Sequence, residues 1–141
     1  MNYFGDSQIS HNQTDTFKYK TIVILDEDTC FLRNLQDIFD NEGILSIGFT
    51  SYSSAIKSIS KHSPDICLIN YSKSDEKIIE LIGWLKKNKP LIPIILLIDN
   101  DDSNQIIELR KLGVLKILEK NEKIWDAVIP YVKDIFNKIT P

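Results

Sequence analysis

Residues 21–43 read "TIVILDEDTCFLRNLQDIFDNEG" and hold one complete unit of the pattern that runs through the chain. Thr21 to Leu25 form a short β-branched and apolar run, which reads as a buried strand. Three acidic residues, Asp26, Glu27 and Asp28, end it. A helix follows, with Phe31, Leu32, Leu35, Ile38 and Phe39 on one face. Asp28 is placed to cap its start, and Gly43 stops it.

The same unit recurs four times. "ILSIGF" (44–49) is a second strand, and a small helix after it turns Ala55, Ile56 and Ile59 inward. "ICLI" (66–69) is the third strand, and Ile78, Ile79, Ile82 and Leu85 mark the third helix. "PIILLI" (93–98) is the fourth, followed by Ile106, Leu109 and Leu112 on a helix closed by Gly113. "VLKIL" (114–118) is the fifth, and Trp125, Val128, Ile129, Val132, Ile135 and Phe136 stripe the last helix. Pro130 interrupts that stripe. It removes a backbone donor, so a bend or break is expected near Ile129.

Five strands, each followed by a helix, predict an α/β fold: a doubly wound parallel sheet with helices on both faces. The near-continuous apolar runs of strands one, three and four place them centrally. In such sheets the functional crevice lies beyond the carboxyl ends of the strands. The residues to inspect are therefore Asp26, Glu27 and Asp28, then Asn70, then "DNDD" (99–102), then Glu119 and Lys120.

The rest of the composition narrows the function classes. The 141 residues suffice for one domain with a real core, and 43% apolar and 26% charged residues are ordinary for a globular protein. A formal charge of −3 gives no footprint for nucleic acid. Lys86, Lys87 and Lys89 cluster, but they close a helix, where positive charge is favoured. Cys30 and Cys67 have no metal-like spacing and read as reduced thiols of a cytosolic protein. His11 and His62 lack a second ligand nearby in sequence. No apolar stretch is long enough to cross a membrane. Residues 1–18, rich in Ser, Thr, Asn, Gln and Asp, read as a flexible arm ahead of a domain spanning 19–139.

The arrangement resembles the CheY-like receiver domain of two-component response regulators, over roughly residues 20–138. The resemblance implies the flavodoxin-like strand order 2-1-3-4-5. "IVILDED" is similar to the receiver's first strand with its acidic pair, which would be Asp26 and Glu27. "PDICLIN" is similar to the strand that delivers the phosphoacceptor aspartate, and Asn70 stands at that position. "PIILLI" is similar to the strand ending in the switch Ser or Thr, where this chain has Ile98. "GVLKILEKN" is similar to the segment with the site lysine, Lys120. The aromatic switch position there is Ile117, and Asn121 replaces the family's proline.

A receiver presents a carboxylate nucleophile to a phosphoryl donor, with Mg²⁺ and the lysine neutralising the transferring group. An uncharged amide cannot be that nucleophile. A weak Mg²⁺ site could still form from Glu27, Asp26 through a water, and the Ser72 backbone carbonyl. Ile98 offers no hydroxyl to a phosphoryl oxygen, and Ile117 has no ring to swing. Together the three replacements point to a pseudo-receiver that is not an enzyme and works by contact, independently of phosphorylation. The resemblance implies protein partners: a histidine kinase, an output protein or a second copy. They would dock on the face of helix four, strand five and helix five, where Ile107 falls off the buried stripe.

Two further readings compete. A functional receiver could use Asp99 or Asp102 as its acceptor. Alternatively, "ILDEDTCF" resembles the Asp-x-Asp-x-Thr signature of haloacid dehalogenases, with Asp26 as nucleophile and Asp28 as acid/base. Cys30 stands at the Thr position, however, and the helix after it leaves no room for that family's gating loop. A flavodoxin-like cofactor site fails because three carboxylates would repel a phosphate.

Overall fold

The computed structural model describes residues 20–72, 75–99 and 103–139. The expected arm at 1–18 and Asp102 lie outside the described residues. The strands are β1 Thr21–Leu25, β2 Leu45–Phe49, β3 Ile66–Tyr71, β4 Ile94–Ile98 and β5 Lys116–Glu119. The helices are α1 Thr29–Asn41, α2 Tyr52–Lys61, α3 Glu76–Asn88, α4 Ser103–Arg110 and α5 Ile124–Ile139. All pairings are parallel, and the sheet order is β2-β1-β3-β4-β5, as expected.

Alternation along each central strand splits the core in two. Ile22, Ile24, Ile66, Leu68, Ile95 and Leu97 face α1 and α5, meeting Leu35, Phe39, Val128, Val132 and Phe136. Val23, Leu25, Cys67, Ile69, Leu96 and Ile98 face the other way, against Ile59, Ile82, Leu85 and Leu109. Fully burying each such aliphatic side chain contributes about 1.5–3 kcal/mol, so both faces of the sheet are held firmly. An ion pair between Lys133 and Glu42 ties α5 to the end of α1.

Helix limits follow local chemistry. Asp28 caps α1, accepting from the Cys30 and Phe31 N–H groups at 3.0 and 3.1 Å. Ser51 and Asp75 cap α2 and α3 in the same way. Gly43 and Gly113 end their helical turns at φ 74° and 88°, a conformation that costs glycine little.

Three expectations need correction. The helix α5 is continuous through Pro130. The carbonyl that loses its partner belongs to Asp126, and Asp126 and Pro130 are both exposed, so water can satisfy it. Strand β3 does not stop at Ile69 but continues through Asn70 and Tyr71, paired in register with Leu97 and Ile98. Tyr71 is buried against the second core cluster, which rewards the extension. Strand β5 begins at Lys116 rather than Val114, because the turn around Gly113 takes up Val114 and Leu115.

Candidate functional site

Three chain segments converge at the carboxyl end of the sheet. β1 delivers Asp26, which is only 3% exposed, the one buried charged residue among those described. Its two oxygens are both engaged. Oδ1 accepts the Asp28 N–H at 2.9 Å, and Oδ2 accepts from Lys120 Nζ at 2.7 Å. Lys120 follows β5 directly, and its own N–H donates to the Ile98 carbonyl at 2.7 Å. The lysine side chain is 11% exposed, so this ion pair is nearly dry. The acidic partner of Lys120 is Asp26. Glu27 is exposed.

Sequence reasoning missed what covers the lysine. Phe31, in the first turn of α1, places its ring 4.0 Å below or above Nζ, within cation–π range. Trp125, at the start of α5, packs on Phe31 with centroids 4.9 Å apart and planes tilted by 33°. Nothing in the local pattern links residues 31, 120 and 125, which meet only through the fold.

Asn70 lines a cleft of about 160 Å³ together with Asp26, Glu27, Thr50, Ser51, Tyr52, Asp75 and Lys77. Its Oδ1 is buried without a hydrogen-bond partner. A buried acceptor without a donor costs about 1–3 kcal/mol. Among the described residues no group of three or more His, Cys, Asp or Glu is arranged to hold a metal ion. A divalent cation at Asp26, Glu27 and the Ser72 carbonyl would share Asp26 with Lys120, and it would meet a neutral amide at Asn70. This donor set does not fit a tightly held Mg²⁺.

The positions matched to the family's switch are aliphatic and packed. Ile98 is buried, and Ile117 is half-buried in the same cluster. Asp99, the other acceptor considered above, is exposed just after β4. Ile107 is 54% exposed, as expected, and Leu115 beside β5 is 52% exposed. Of the thiols, Cys30 is exposed and Cys67 buried, and burial pushes the Cys67 thiol up to about 12.

The sequence pattern of the response regulator receiver domain matches residues 22–128. This chain belongs to that family. Solved structures of receivers and response regulators share the fold. A two-component response regulator from Clostridium difficile superposes with a TM-score of 0.77 at 19% identity, covering 86% of this chain and 99% of the other. One from Thermotoga maritima gives 0.75 at 19% identity, covering 84% and 98%. An orphan response regulator from H. pylori gives 0.73 at 11% identity, covering 84% and 98%. At these identities the likeness concerns the fold alone. No curated protein matches the chain. The receiver is thus a two-component signalling domain, and no described helix is long and apolar enough to cross a membrane.

Proposed function

We propose that this receiver signals by protein contact without being phosphorylated. The observation that carries the reading is the residue at the phosphoacceptor position: Asn70, an amide with no charge and no nucleophilic oxygen. The rest of the site supports it. Lys120, the cation a receiver would turn to the phosphoryl group, is already committed to Asp26. Ile98 and Ile117 occupy the switch positions with packed aliphatic groups. The domain in this reading performs no catalysis, takes no tightly bound Mg²⁺ and acts in the cytosol.

The proposed docking face comprises α4, β5 and α5. Ile107 and Leu115 expose apolar surface there, and Pro130 gives α5 an exposed position without a backbone donor. A kinase, an output protein or a second copy of the chain would dock on it, and Ile107→Asp should weaken whichever partner is recovered. The reading is tested by incubating the full chain with acetyl phosphate and Mg²⁺ and recording its intact mass. No acid-labile adduct is expected. An adduct mapped to Asp99 or Asp102 would replace this reading with that of a receiver using another acceptor.

A further inference from the structure

We propose that Phe31 and Trp125 form an aromatic latch that holds Lys120 on Asp26, so that the state of the acidic site is set from the α1/α5 side of the sheet. The geometry is specific. Lys120 Nζ lies 2.7 Å from Asp26 Oδ2 and 4.0 Å from the Phe31 ring centroid. One side of the ammonium therefore meets a carboxylate and another meets the face of a ring. Little of the side chain is left for water. Ring and carboxylate act together: the carboxylate fixes the charge, and the ring replaces part of the hydration the charge has lost.

The ring is itself held in place. Asp28 accepts the Phe31 N–H at 3.1 Å, and the next carboxylate contact, from the Asp28 N–H to Asp26 Oδ1, closes a short circuit back to the ion pair. Trp125 supports the other side of Phe31 from the first turn of α5. Phe31 and Trp125 are both half-buried at the rim of the α1/α5 core cluster, not inside it.

The opposite face offers no comparable moving part at the matched switch positions, since Ile98 and Ile117 are aliphatic and packed. Whatever separates the start of α5 from the first turn of α1 would lift Phe31 from Lys120. That would free an ammonium beside the cleft for an anionic group. The latch depends on none of Asn70's properties, so it goes beyond the phosphorylation-independent reading and can fail separately from it.

The test is residue-resolved amine labelling of the full chain with acetic anhydride, read by peptide mass spectrometry. Exposed Lys87 serves as the fast reference and ion-paired Lys133 as the slow one. In the wild type, Lys120 should label more slowly than Lys87. Phe31→Leu keeps apolar bulk but removes the ring face. It should speed Lys120 labelling by roughly 2- to 30-fold, the range of one partly desolvated cation–π contact, while Lys133 stays unchanged. Phe31→Tyr should restore protection. Circular dichroism confirms that each variant is folded. The latch is overturned if Lys120 labels as fast as Lys87 in the wild type. It is also overturned if Phe31→Leu leaves Lys120 unchanged, or if Lys120 and Lys133 accelerate together, which would mean general loosening.

Discussion

Replacing Asn70 by aspartate probes why the site tolerates an amide. The substitution changes almost no volume, so its effect is electrostatic. Asn70 Oδ1 has no hydrogen-bond partner, and a carboxylate there would inherit an undersolvated position. Asp26 beside the same cleft is 3% exposed and already ionically paired. At about 5 Å and an effective dielectric of about 20, two carboxylates repel by about 3 kcal/mol. Lys120 offsets part of this but is fixed on Asp26, so a net loss of about 2 kcal/mol is expected for Asn70→Asp at pH 7 without metal. The sign with pH follows. Repulsion raises the new carboxyl's pKa above its unfolded value, so the penalty is present near neutrality. It fades as pH falls and the carboxyl takes up a proton. Mg²⁺ should restore much of the stability of the variant and little of the wild type's. Urea unfolding at pH 7 and pH 4, with and without Mg²⁺, measures all four corners, and calorimetry gives the Mg²⁺ affinities. Equal stability of the two proteins at pH 7, or equal Mg²⁺ affinity, would refute the account of a pocket kept quiet by an amide.

Other expected outcomes follow from the same geometry. Lys120→Ala leaves Asp26 buried and uncompensated and should cost about 3–5 kcal/mol in urea unfolding, most of it recovered in the double variant with Asp26→Asn. The Cys67 thiol is raised from 9.0 to about 12, so it stays protonated in the fold while the unfolded chain begins to ionise above 9. Stability is therefore unaffected below that pH and falls as pH rises beyond it. Cys67→Val should flatten the fall in alkaline melting curves, and a thiol reagent at pH 8 should modify Cys30 alone. A methyl group on Gly48 would stand 2.9 Å from Leu32 Cδ1 and 3.0 Å from Gln36, so Gly48→Ala should lower stability by about 1–3 kcal/mol in a thermal melt. Amide relaxation dispersion should detect no millisecond exchange at Ile98 or Ile117, because both are packed into one cluster.

The sheet was legible because strands one, three and four carry near-continuous apolar runs and the helices carry apolar stripes, two of them closed by Gly43 and Gly113 where the chain turns. Position along those units was enough to put Asp26, Asn70 and Lys120 at one end of the sheet. Strand limits were less visible. Tyr71 reads as the start of a loop by composition, yet it is buried against α3 and α4 and draws β3 past Asn70. Pro130 reads as a breaker, but the exposed side of α5 lets solvent serve the freed carbonyl. The cover over Lys120 had no sequence signature, because a cation–π contact depends on distances between elements far apart in the chain, here residues 31 and 120. The unsatisfied Asn70 oxygen was hidden for a similar reason: only the folded surroundings reveal which neighbours it lacks.

The strand order also dictates how the chain can assemble. β1 sits between β2 and β3, so the first 71 residues contain a complete three-stranded nucleus with two helices. β4 and β5 then add outward one at a time, each against the strand before it. One face of the nucleus can be roofed early, by α2 and then α3. The other cannot. Ile22, Ile24, Ile66 and Leu68 share their cluster not only with Leu35 and Phe39 of α1 but also with Val128, Val132 and Phe136 of α5, which follow β5 in the chain. During synthesis the part of that face not covered by α1 stays wet until α5 has emerged and closes it. A chain cut before residue 124 is therefore left with part of an apolar face open and a strong tendency to aggregate.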